Sequence, residues 1–151
     1  MMNKSIFRHL YLLIILLVLI RCGAQDFDSN QVKGNWQVHE EYNKIANYQE
    51  IYFDSVNAYY YDYNLGLRPV AKYHFKGDDF YESELGGEFE FIGKVNIVND
   101  ILYIKNRKNE VRFKKINDFN NLEKFIRGKI NKEKYWDSYL KRYKSWENKP
   151  Y

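Results

Sequence analysis

Residues Ala71 to Ser83 read AKYHFKGDDFYES, and this stretch decides the fold. Ala71, Tyr73 and Phe75 alternate with Lys72, His74 and Lys76, so an extended chain puts apolar side chains on one face and basic ones on the other. A helix would scatter both sets around its circumference. Gly77-Asp78-Asp79 follows with one residue free to take positive φ and two that bond their own backbone, the chemistry of a hairpin turn. The unit is strand, turn, strand.

Outward from this hairpin the same pattern recurs. Eight short β-type runs are read: Trp36 to Tyr42, Tyr48 to Asp54, Asn57 to Tyr63, Pro69 to Lys76, Asp79 to Ser83, Glu88 to Val98, Ile101 to Asn106 and Glu110 to Ile116. Phe89 and Phe91 oppose Glu88 and Glu90, and Val111 and Phe113 oppose Arg112 and Lys114. The runs are separated by turn residues such as Asn64-Leu65-Gly66, Gly86-Gly87 and Asn99-Asp100. Aromatic residues make up 19% of the chain, led by 15 tyrosines, a composition that suits half-buried sheet faces. The expected fold is mainly β, an antiparallel up-and-down barrel of about eight strands, because closure removes exposed sheet edges. An open or flattened barrel is the alternative.

Near Asp118 the period changes from two to that of a helix. Asn120 to Glu123 (NNLE) has the form of an N-cap with its capping-box acid, and Phe119, Leu122, Phe125, Ile126 and Ile130 follow helical spacing. Gly128 is placed to end this helix and Asn131 to cap a second, which carries Tyr135, Trp136, Tyr139, Leu140, Tyr143 and Trp146 among lysines and arginines. One or two C-terminal helices are expected, the second amphipathic, basic and aromatic.

The N-terminus carries an address. Lys4 and Arg8 lie before any acid, and Leu10 to Ile20 (LYLLIILLVLI) is apolar throughout apart from Tyr11. As a helix those residues cover roughly 16 Å, short of the ~30 Å hydrocarbon core, so the segment reads as a secretory signal and not as a transmembrane span. Leu19-Ile20-Arg21-Cys22 resembles the lipobox of bacterial lipoproteins, with Arg21 standing where a small residue is usual. That resemblance implies acylation of Cys22 and a mature chain that starts there. Cleavage after Ala24, giving a soluble periplasmic or secreted protein, is the alternative. Cys22 is the only cysteine, so no internal disulfide can form. The domain division is a signal at 1–21, a lipidated tether at 22–31, a barrel at 32–117 and a helical extension at 118–151.

Charge is unevenly spread. Residues 26–104 hold 14 acids against 6 bases, net −8, whereas residues 105–151 hold 6 acids against 15 bases, net +9. The basic extension is expected to dock on the acidic part of the same chain; contact with anionic headgroups or an acidic partner is the other reading. Beyond the signal the histidines are His39 and His74, on different strands, with no nucleophile-base spacing, zinc pattern, calcium loop, phosphate loop or nucleic-acid module. No enzyme, cofactor, metal site or nucleic-acid partner is expected.

Lys33-Gly34-Asn35-Trp36 opens the first strand, and IYFDSVNAYYYD, KYHFKGDDF, FIGKVNIVNDILYI and VRFKKI follow in order. Over about Val32 to Ile116 this resembles lipocalins and the small bacterial lipocalin-like lipoproteins. The resemblance implies a calycin-type barrel whose tryptophan, Trp36, closes one end against a basic side chain of the last strand, Arg112 or else Lys114. It also implies a lumen in which inward rings either contact one small apolar ligand or simply fill the space. Tyr59, Tyr61, Tyr73, Phe75, Phe89 and Phe91 are the candidate ligand contacts. The function expected is that of a non-enzymatic lipoprotein of the cell envelope, on the outer membrane or periplasmic face, holding a small apolar ligand. The alternative is a module for protein or membrane-surface interaction that uses the basic aromatic helix or the barrel rim.

Overall fold

The computed structural model describes residues 27–41 and 47–148; the expected signal, Cys22, Ala24 and the first part of the tether lie outside the described residues. The strands are β1 (Gly34–Glu41), β2 (Gln49–Phe53), β3 (Asn57–Asp62), β4 (Gly66–Leu67), β5 (Ala71–Lys76), β6 (Asp79–Glu84), β7 (Glu90–Val98), β8 (Ile101–Lys105) and β9 (Glu110–Lys115). Two helices follow, α1 (Leu122–Ile126) and α2 (Lys132–Glu147). All strand pairings are antiparallel, and β1 pairs with both β2 and β9, which closes a ring of eight strands in an up-and-down meander. The two-residue β4 lies outside that ring, on β3. The mainly β barrel with C-terminal helices is therefore the fold, and closure excludes the open form.

A meander puts alternate connections at the same end. The lower end holds the start of β1, the turns β2–β3, β5–β6 and β7–β8, and the exit from β9; the upper end holds the other connections. A 3-10 turn at Ser29–Val32, capped by the Asp28 side chain, brings Val32 into the lumen, and Phe27 packs against Phe75 with ring centres 5.0 Å apart. The N-terminal segment thus seals the lower end.

The chain builds two cores. The first is the lumen, formed by Trp36, Val38, Ile51, Phe53, Tyr60, Tyr73, Phe80, Val95, Leu102 and Phe113 with their neighbours. The second lies outside the barrel wall, where Tyr48, Tyr52 and Tyr61 meet Leu122, Tyr135 and Tyr139. In β2 four of five residues are buried, because Ile51 and Phe53 face the lumen while Glu50 and Tyr52 face the helices. The helices are set as their caps direct: Asn131 accepts from the Lys134 N–H at 3.0 Å and Gly128 takes φ 66 after α1. At α1 the cap is Asn121, one residue later than the expected Asn120, because the Asn35 side chain takes the Glu123 N–H at 2.9 Å.

One ion pair fixes α2 on the wall. Glu50, fully buried, receives Arg142 Nε at 2.8 Å and Nη2 at 3.0 Å, and also the hydroxyls of Tyr48 at 2.7 Å and Tyr135 at 2.9 Å. Arg142 reaches on to Asp118 at 2.5 Å. Every charge here has partners, which is the condition for a buried pair to be tolerated. Arg142→Ala strands the Glu50 carboxylate and is expected to cost about 3–5 kcal/mol in urea unfolding followed by circular dichroism. Replacing the pair together, Glu50→Leu with Arg142→Met, is expected to recover most of that loss; a double variant as unstable as the single one contradicts this.

Candidate functional site

The lumen is occupied by its own rings. Phe53 contacts Tyr73 edge to face at 5.2 Å, and Phe75 stacks on Phe80 at 5.2 Å. The gap between Val32, Phe53, Phe75, Phe80, Val95, Leu102 and Ile104 has no room for a water molecule. Trp146, in the last turn of α2, packs against both cores.

Two of the six candidate ligand contacts, Tyr73 and Phe75, lie in the lumen cluster. Tyr59 and Tyr61 do not: they belong to the outer core under the helices, since Ala58 and Tyr60 take the inward positions of β3. Phe89 and Phe91 are exposed on the outer wall. Their displacement has a specific cause. Phe80 pairs with Gly93 but Tyr81 with Phe91, so Ile92 is an extra residue, and this bulge reverses the inward and outward faces of β7 above it. Gly93 is required there, because a Cβ would meet the Lys105 carbonyl oxygen at 2.8 Å.

Trp36 is buried at the lower end, donating from Nε1 to the Val32 carbonyl at 2.6 Å. Its basic neighbour is Lys115, with Nζ 5.3 Å from the ring centre, and neither Arg112 nor Lys114. The register decides this: Trp36 pairs with Lys115, two residues beyond the inward Phe113, so Lys115 shares the inward parity. Arg112 instead lies over Tyr103 at 5.5 Å and bonds Glu110 at 3.0 Å.

The upper end combines a polar latch with an apolar fringe. Tyr60 donates its hydroxyl to Glu82, whose carboxyl points into the barrel mouth, and Arg68 lies over the Tyr60 ring at 5.5 Å while bonding Glu84 at 2.9 Å. The Arg68–Glu84 pair ties the β3–β5 connection to the end of β6. At the tips of those two connections stand Leu65, 74% exposed, and Leu85, 83% exposed, with Leu67, Val70, Phe89 and Phe91 also exposed. Leu85 has φ 53, a conformation that a leucine rarely adopts and that the Ser83-to-Gly87 hydrogen bond at 2.6 Å helps to hold. Below the fringe, His74 stacks on Tyr81 at 5.0 Å and meets Phe89 edge to face at 4.5 Å, continuing an aromatic strip along the outer wall.

Among the described residues no group of three His, Cys, Asp or Glu side chains is placed to hold a metal ion, and no helix is long and apolar enough to cross a membrane. No protein-family model matches this chain, and no curated protein or solved structure matches it.

Glu82 titrates out of place. Burial raises its pKa to about 7 and nearby Glu84 adds to this, against the Tyr60 hydrogen bond and the charge of Arg68. The folded chain therefore holds this proton more tightly than the unfolded one. The stabilisation is complete below about 4.5 and is lost as pH rises from there through about 7, by on the order of 3 kcal/mol. Glu82→Gln keeps the partner geometry without the proton equilibrium, so its unfolding free energy is expected to flatten between pH 5 and 7. An unchanged slope would place the titrating group elsewhere.

Proposed function

We propose that this chain is an exported, lipid-anchored member of the lipocalin-like kind that serves as an interaction module, non-enzymatic and not a carrier, meeting a partner in the cell envelope through the upper end of its barrel. The observation that carries this reading is the packed lumen: Phe53, Tyr73, Phe75 and Phe80 occupy the space in which a small apolar ligand would sit. A carrier needs a preformed apolar pocket, and eight strands leave little interior beyond their own side chains.

Support for the docking surface comes from the contrast between the two sides of the molecule. The aromatic face of α2 is spent on the barrel, with Tyr135 and Tyr139 fully buried, so the helix acts as a buttress. Leu65 and Leu85 instead project into solvent at neighbouring loop tips. Adjacent exposed apolar side chains of this kind mark interaction sites. The address rests on the short apolar segment Leu10 to Ile20 followed by Cys22.

Two measurements test the reading. A native mass spectrum of the protein purified from its own membranes is expected to show no ligand adduct, and titration with a fatty acid no saturable binding. A photo-crosslinking residue at Leu65 or Leu85 in cells is expected to give one discrete adduct that the same residue at Lys72 does not. A copurifying apolar molecule bound with one-to-one stoichiometry would return the protein to the carrier class.

A further inference from the structure

We propose that the lower end of the barrel rests on the lipid surface that carries the anchor, with Val56, Val98 and Phe119 as its contact points. This inference rests on the lipid-anchored reading above and adds an orientation to it.

Chain length supplies the first argument. The described structure begins at Phe27, which packs on Phe75 at the lower end. From Cys22 to Phe27 there are five Cα–Cα steps, which span at most roughly 18 Å. The longest strand, β7, has 9 residues. At about 3.3 Å per residue and a usual barrel tilt, that gives a wall roughly 20 Å or more in height. An anchor at Cys22 with so short a tether favours the lower end, where Phe27 is packed, as the face nearer the membrane.

The exposed side chains supply the second. Val56 sits in the β2–β3 turn, Val98 leads into the β7–β8 turn, and Phe119 follows the exit from β9, so three of the five stations around the lower rim each expose an apolar side chain. Phe119 is 70% exposed with Lys124 Nζ over its ring, the pairing of an apolar body with a cation that suits a headgroup boundary. Several acids of this end are engaged: Asp54 caps its own turn, Asp78 and Asp79 pair with Lys94, and Asp118 pairs with Arg142, while Asp100 in the β7–β8 turn is exposed beside Val98. The β5–β6 turn carries the charged cluster that Asp78 and Asp79 form with Lys94.

The consequence is a fixed polarity: the lower end meets lipid and the Leu65 and Leu85 tips face away from it. The lone cysteine makes this directly testable. The mature chain is coupled through Cys22 to a maleimide phospholipid in vesicles of phosphatidylethanolamine and phosphatidylglycerol, and backbone hydrogen exchange is compared with the uncoupled chain. Exchange is expected to slow several-fold at residues 54–57, 98–101 and 117–121 and to stay unchanged at 85–89. Val98→Asp with Phe119→Asp is expected to abolish the slowing while the coupled chain stays on the vesicles. Unchanged exchange at the lower end, or slowing at 85–89, overturns the proposal. The intact mass of the protein extracted from its own membranes reports acylation of Cys22 separately, so failure of the anchor and failure of the orientation are distinguishable.

Discussion

Interior volume is the constraint on which everything else in this molecule depends. Eight antiparallel strands enclose space for little more than their own side chains, and this chain spends that space on Trp36, Phe53, Tyr60, Tyr73 and Phe80. Close packing of such rings gives the barrel its core, and the gap beside Phe53, Phe75 and Phe80 has no room for a water molecule. On the proposed reading, recognition falls to the outer surface of such a filled barrel. The ends and walls of the barrel therefore carry the functional argument.

The walls are not equivalent. One is covered by α2, where the buried Glu50 collects Arg142 and two tyrosine hydroxyls, and where the tyrosines of β2 and β3 find ring partners. The charge asymmetry of the sequence is partly resolved here, as a base from the positive C-terminal part enters the acidic barrel wall. The opposite side keeps its aromatic residues in contact with solvent, and the upper tips expose leucines. Between them Glu82 and Tyr60 keep a polar contact inside the mouth, at the cost of a carboxyl that holds its proton near neutral pH.

The sequence made some of this legible and concealed the rest for identifiable reasons. Clean alternation in Ala71 to Lys76 placed Tyr73 and Phe75 inside, whereas the resemblance suggested Arg112 or Lys114 as the partner of Trp36, although both alternate with the inward Phe113 and the side chain over the ring is that of Lys115. The run Asn57 to Asp62 has tyrosines on both parities, so nothing local distinguishes the inward Tyr60 from the outward Tyr59 and Tyr61. Its density of rings was nevertheless a signal, because a strand apolar on both faces is covered on both. The bulge at Ile92 carried a weaker mark in the neighbouring Gly93, and missing it put Phe89 and Phe91 on the wrong side. Glu50 and Arg142 lie 92 positions apart and show no local pattern that would join them.

The central claim, a barrel packed solid, is tested most directly by xenon. Crystals of the protein held under xenon pressure are predicted to show no bound atom among Val32, Phe53, Phe75, Phe80 and Leu102. A well-occupied xenon site there would contradict the account, because it would reveal apolar space that a ligand could use.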